Sequence, residues 1–168
     1  MDTLILGLGN DFCGDDGIGI TIAESVKANI NDCADVIISN ESGLAIIDYL
    51  LGYKKAIIVD AIHTGKCQPG TVIELTVDDL RQVSSPSPHY TGLPEIKKLS
   101  HELNLEFPDQ IRIFAVEIPD TYEIKETISK PVSGAIDDVA GRIKALLAEW
   151  NNSDKAGDIK YTSVNSSF

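Results

Sequence analysis

At 168 residues, with 43% apolar and 24% charged side chains, the chain has the size and make-up of one folded domain, which excludes a disordered or fibrous class. Its 26 acidic side chains outnumber 14 basic ones and leave a formal charge of -12, the wrong sign for gripping a phosphate backbone, so no nucleic acid partner is expected. Cys13, Cys33 and Cys67 are widely spaced and form no CxxC pair, which suits a reducing cytoplasm rather than a disulfide framework or a thiolate zinc site.

The first residues lack a basic region, and the apolar run from Thr3 to Leu8 meets Gly7 too early for a signal peptide or a membrane span, so no membrane insertion is expected. Closed by Gly7-Leu8-Gly9-Asn10, that run predicts a strand buried on both faces and followed by a tight turn. After Asp15-Asp16-Gly17, Ile18, Ile22, Val26 and Ile30 recur at every fourth position, which predicts a helix from about Asp16 with one apolar face. Strands over Asp35–Ser39 and Lys55–Ile62 bracket a short helix at 43–51. A fourth strand over 71–77 is entered through Gln68-Pro69-Gly70 and suits an antiparallel edge. Pro86 and Pro88 mark a loop ahead of a helix at 93–103, and 111–116 reads as a fifth strand.

Ser133 is placed to cap the last helix, on which Ile136, Val139, Ala140, Ile143, Leu146, Leu147 and Trp150 share a face. Beyond Trp150 the chain is polar and aperiodic, which predicts one domain over 1–150 and a flexible tail over 151–168. Strands alternating with helices give an α/β fold with at least three parallel strands and crossover helices.

Open α/β sheets bind ligands outside the carboxyl ends of their strands, and three chemistry-bearing residues fall there. Asp16 follows the first strand, Asp60 ends the third, and His89 precedes the crossover helix at 93–103. Two carboxylates and an imidazole suit a divalent first-row ion such as zinc or nickel and leave positions open, so metal-assisted hydrolysis is chemically reasonable. Each residue also has an ordinary reading: Asp15-Asp16-Gly17 is common turn chemistry, and His89 in a loop can be merely exposed. Asp60 after four apolar residues is harder to dismiss, because burying an unpaired carboxylate is costly.

Rival motifs fail on their spacing. Gly7-Leu8-Gly9 starts like a dinucleotide fingerprint, but Phe12 takes the third glycine position and Asp11, Asp15 and Asp16 would repel a pyrophosphate. No P-loop lysine follows. His101-Glu102 opens like a zincin helix, yet Leu105 stands where the second histidine belongs, which leaves His101 as a histidine flanking the core. Cys13 near the crevice reads as a small apolar filler rather than a nucleophile.

Taken in order, Leu6-Gly7-Leu8-Gly9-Asn10, Asp15-Asp16-Gly17-Ile18-Gly19, Ser42-Gly43, Val59-Asp60-Ala61-Ile62, Pro69-Gly70-Thr71 and Ser87-Pro88-His89-Tyr90-Thr91-Gly92-Leu93 resemble the hydrogenase maturation endopeptidases, with the likeness running to about Val139. The resemblance implies a twisted, mostly parallel five-stranded sheet with helices on both faces. It implies an aspartyl-type endopeptidase that removes the C-terminal extension of a nickel-iron hydrogenase large-subunit precursor after nickel insertion. The family's metal-contacting positions map onto Asp16, Asp60 and His89, gripping nickel supplied by the substrate or, alternatively, zinc or another divalent ion of the enzyme. Val116-Glu117-Ile118-Pro119 resembles the family's strand-end segment loosely and sets Glu117 near the cleft. Two competing expectations are a non-catalytic metallocentre chaperone for the same precursor and a dinucleotide-dependent oxidoreductase, the latter resting on fold analogy alone.

Overall fold

In a computed structural model of the chain, Thr3–Leu8 forms the first strand, β1, and all of it is buried. The structure describes residues 2–10, 12–30, 33–82, 87, 89, 92–120 and 127–162, with side chains as far as 153. A single 3-10 turn, Gly14–Gly17, leads into helix α1, Ile18–Lys27. Strand β2, Asp35–Ser39, is followed by a second 3-10 turn and the short helix α2, Ile47–Leu50. Strands β3, Lys55–Ile62, and β4, Val72–Thr76, precede helix α3, Leu93–Glu102, and strand β5, Gln110–Glu117. Helix α4, Lys130–Ser133, and the long helix α5, Ile136–Thr162, complete the chain.

The five strands form one sheet in the order β2-β1-β3-β5-β4, parallel throughout except for β4, which runs antiparallel along the outer side of β5. Both faces of the sheet are covered, so β1 and β3 are buried along their whole length and are mostly apolar, as parallel sheets require. Side-chain alternation along β3 divides the core in two. Ile57, Val59 and Ala61 pack with Ile18, Ile22 and Val26 of α1 and Val139, Ile143, Leu147 and Trp150 of α5. Ala56 and Ile58 pack on the opposite side with Leu4, Leu6, Ile46, Leu50 of α2 and Leu93 of α3. Asp60 has the parity of this second face.

Helix α1 lies against the ends of β1 and β3 at backbone distance. A Cβ built on Gly19 would stand 2.2 Å from the Leu8 carbonyl oxygen and 2.4 Å from that of Val59, and one on Gly7 would stand 2.5 Å from the Ala23 Cβ. Gly9, at φ 148°, lies under the following turn, where a Cβ would stand 2.1 Å from the Asp16 carbonyl oxygen. The turn carrying Asp16 is pressed onto the strand ends because glycine occupies all three positions.

Two expectations about the C-terminal helix change. Ser133 is not its cap: the residue closes α4, where its hydroxyl donates to the Lys130 carbonyl at 3.2 Å, and α5 begins three residues later. The extra turn arises because Ser129, in extended conformation ahead of Lys130-Pro131, starts a helix with proline in its first turn, the place where proline's missing N–H costs nothing. Nor does the helix stop at Trp150. Trp150 is the last buried apolar side chain described on it, but the backbone stays helical to Thr162, and no proline interrupts the stretch expected as a tail. Residues 163–168 lie outside the described residues, as do Pro86, Pro88, Tyr90 and Thr91 of the loop before α3.

A Gly19→Ala variant is expected to lose about 3 kcal/mol or more of stability in urea unfolding, because a methyl group between two carbonyl oxygens forces α1 off the sheet.

Candidate active site

The sheet reverses its direction of winding between β1 and β3: α1 covers one face on the way from β1 to β2, and α2 covers the other on the way from β2 to β3. This switch point opens a crevice above the carboxyl ends of the two strands, the usual binding place in such sheets. Asp16 enters from the turn after β1, Asp60 rises from β3 itself, and His89 comes from the loop before α3 on the face to which Asp60 points.

Asp60 is completely buried. Its Oδ1 accepts a 2.8 Å bond from the Ala61 N–H, while Oδ2 has no hydrogen-bond partner among the described residues. Burial pushes its pKa up to about 7, against the pull of His89, a hydrogen bond from the Ser87 side chain and the Ala61 amide; the negative charge of Asp16 adds to the rise. Asp16 is itself shifted upward by burial, with His89 and a backbone bond from Asn10 pulling it back. The two carboxylates and the imidazole therefore sit within one electrostatic environment.

His89 is oriented from behind. Its Nδ1 lies 2.8 Å from the Glu41 carbonyl oxygen, and a carbonyl can only accept, so Nδ1 carries a hydrogen and Nε2 is the ring nitrogen turned toward the crevice. That Nε2 stands 4.0 Å from Asp60 Oδ1, too far for a hydrogen bond and wider than the roughly 3.4 Å between two tetrahedral ligands about 2.1 Å from one ion, so sharing an ion requires the pair to draw together. Histidine ligands are commonly held in this way by an outer carbonyl. Ser87, buried at the base of the same loop, accepts from the His89 amide at 3.3 Å.

The orphaned carboxylate oxygen, the forward-facing imidazole and a second carboxylate at the rim fit a divalent cation by donor type. Among the described residues, however, no three His, Cys, Asp or Glu side chains gather tightly enough to hold an ion as they stand. Asp60 and His89 meet across the crevice; Asp16 is linked to them by charge rather than by a recorded bond.

The neighbouring acidic and nucleophilic residues take structural places. Asp15, beside Asp16, accepts the Ser129 amide at 2.6 Å and ties the turn after β1 to the segment before α4. Glu117 is buried and spends its carboxylate on the Thr64 amide at 2.8 Å, the Thr64 hydroxyl at 2.7 Å and the Gly65 amide at 2.9 Å, so it clamps the loop after β3. His101, expected beside the core, is exposed in the last turn of α3. Cys13 is half-buried just ahead of the Asp16 turn. Sequence reasoning missed Ser87 and the Glu41 carbonyl. Ser87 lies within the His89 motif and was legible as a neighbour; a backbone acceptor leaves no side-chain signal.

A buried carboxylate and an imidazole thus meet at the switch point of an α/β sheet, and comparison with known proteins places the chain in a family. Residues 20–146 match the family described as hydrogenase maturation protease. The chain is 33% identical over 152 residues to a Methanocaldococcus jannaschii protein whose name places it among the hydrogenase maturation proteases, covering 85% of this chain and 97% of that one. It is 26% identical to the hydrogenase 2 maturation protease of Escherichia coli K12, covering 89% and 92%. The hydrogenase maturating endopeptidase HybD from E. coli superposes with a TM-score of 0.75 over 89% of this chain and 93% of its own. The chain belongs to the hydrogenase maturation protease family. Among the described residues no helix is long and apolar enough to cross a membrane.

Because the folded-state pKa of Asp60 lies above its ordinary value of 3.8, protonation favours the folded state: that stabilisation is intact below about pH 4 and is lost as the pH rises through about 7. Asp60→Asn should therefore unfold in urea at nearly the wild-type midpoint at about pH 4. At about pH 8, with both proteins metal-free, the variant should be more stable by a few kcal/mol, on the order of the charge's burial cost.

Proposed function

We propose that this protease removes the C-terminal extension of a nickel-iron hydrogenase large-subunit precursor in the cytoplasm, after nickel insertion, with Asp16, Asp60 and His89 contacting the nickel that the substrate carries. One observation supports this reading above the others: a fully buried carboxylate keeps its Oδ2 without a partner while its Oδ1 stands 4.0 Å from Nε2 of an imidazole that a backbone carbonyl orients from behind. Such a pair is costly in an empty cleft and favourable around a cation, so the fold stores its preference for a metallated partner in Asp60.

When bound, the ion supplies Lewis-acid polarisation next to the peptide bond to be cut. The chain's own residues do the rest. Asp60 would contact the ion as the carboxylate, with any proton it carries released to solvent, His89 keeps its Nδ1 hydrogen on the Glu41 carbonyl while Nε2 reaches forward, and Asp16 adds charge at the rim. A precursor lacking nickel leaves the charge on Asp60 uncompensated and the three donors unengaged, so the site inspects metal insertion before the chain is cut. Zinc or another divalent ion satisfies the same donor types, but it does not make cutting depend on the state of the substrate.

Intact mass measured before and after incubation reads activity, cut position and specificity together. Metal-free enzyme should shorten nickel-loaded precursor by a single C-terminal fragment and leave nickel-free precursor whole. Alanine at Asp16, Asp60 or His89 should lower the rate about a hundredfold or more with the circular dichroism spectrum unchanged. Equal cutting of nickel-free precursor by metal-free enzyme would sink the reading.

A further inference from the structure

The two edges of the sheet are built differently. At β4, the edge carries Glu74, paired with Arg112 of β5 at 3.0 Å, and is entered from Pro69; charge and proline of this kind guard an edge against pairing. At β2 the sequence is Asp35-Val36-Ile37-Ile38-Ser39, with three β-branched apolar residues in a row, Ile38 44% exposed, and no described strand on its outer side.

The hydrogen-bond pattern shows which groups face outward. The Ser39 carbonyl accepts the Gly9 amide at 3.3 Å, so Ser39 turns its backbone toward β1. Peptide groups alternate along a strand, which sends the N–H and C=O of Val36 and Ile38 to the open side. Hollows flank this edge. One of about 320 Å³ lies between β2 and α1, lined by Val36, Ile38, Ala28, Glu24 and Lys27. Another, of about 590 Å³, wraps the start of β2 beside Ile30, Ile37 and Tyr53. An added strand would turn alternate side chains into them.

We propose that β2 is the docking edge for the substrate: the extended segment of the precursor flanking the cut pairs with the outward backbone of Val36 and Ile38 as a sixth strand. This rests on the peptidase reading above. Two features select that occupant. The edge leads straight to the site, since β2 ends at Ser39 and the Glu41 carbonyl, two residues on, holds His89. A second copy of the chain is disfavoured, because two bodies of charge -12 repel each other. Main-chain pairing also suits an enzyme that must accept a segment by its extended form and leave recognition of the metal to the crevice.

The test uses two variants on the edge, Ile38→Pro, which removes one outward N–H where proline is tolerated, and Ile38→Lys, which places a charge there. With nickel-loaded precursor as the probe, both should raise KM roughly tenfold or more and leave kcat within about twofold of wild type. Amide exchange followed on the wild-type protein should show the Val36 and Ile38 hydrogens slowing when precursor is added, while those of Ile37 and Ser39 are slow throughout. An unchanged KM in the variant that keeps its melting temperature, or a loss confined to kcat, overturns the docking edge. So does unchanged exchange at Val36 and Ile38 in a mixture where cleavage proceeds. Slowed exchange at the edge without any cleavage supports the edge and overturns the peptidase reading, so the two fail separately.

Discussion

Beside its apolar side chains, helix α1 meets the sheet backbone to backbone at Gly19. Between Gly19 and the carbonyl oxygens of Leu8 and Val59 there is no room for a methyl group, and Gly7 meets Ala23 just as closely. A helix held at that distance cannot slide or roll, and the turn in front of it, with Asp16 at its centre, is fixed over the ends of β1 and β3 to the same tolerance. The crevice inherits its precision from this contact. Were the helix a side chain's width further out, Asp16 would no longer share an electrostatic environment with Asp60 and His89.

Against that rigid frame the site itself is energetically unfinished. Asp60 is buried with one oxygen unpartnered, and its charge is resisted by desolvation and by Asp16. Proteins rarely retain such a group without a use for it. A structural carboxylate looks quite different here, as Glu117 demonstrates: equally buried, it has three donors at 2.7 to 2.9 Å and a loop folded around it. The contrast between the two separates a residue that holds the fold together from one kept ready for something outside it.

Much of this was readable from the chain, for reasons particular to each part. The strands at Asp35–Ser39 and Lys55–Ile62 stand where their apolar runs put them, because a strand buried on both faces cannot hide its composition. The antiparallel character of β4 was signalled by Pro69-Gly70, and Asp60 by the anomaly of a carboxylate after Val59. The C-terminal helix was harder at both ends. Ser133 has the chemistry of a cap but not the place of one, because Lys130-Pro131 had already started a turn, and beyond Trp150 the apolar pattern ended without ending the helix. The Glu41 carbonyl behind His89 had no signal at all, since every residue carries that group and only the tertiary fold selects one.

The bond from the Ser129 amide to Asp15 joins residues 114 apart in sequence. During synthesis the turn beside Asp16 therefore lacks one of its fastenings until the chain has grown past Ser129, and β3 lacks its neighbour β5 until shortly before that. A ribosome-bound fragment that already contains Asp16, Asp60 and His89 still lacks a finished crevice. The crevice is thus a late product of synthesis, completed by contacts that come from the last third of the chain.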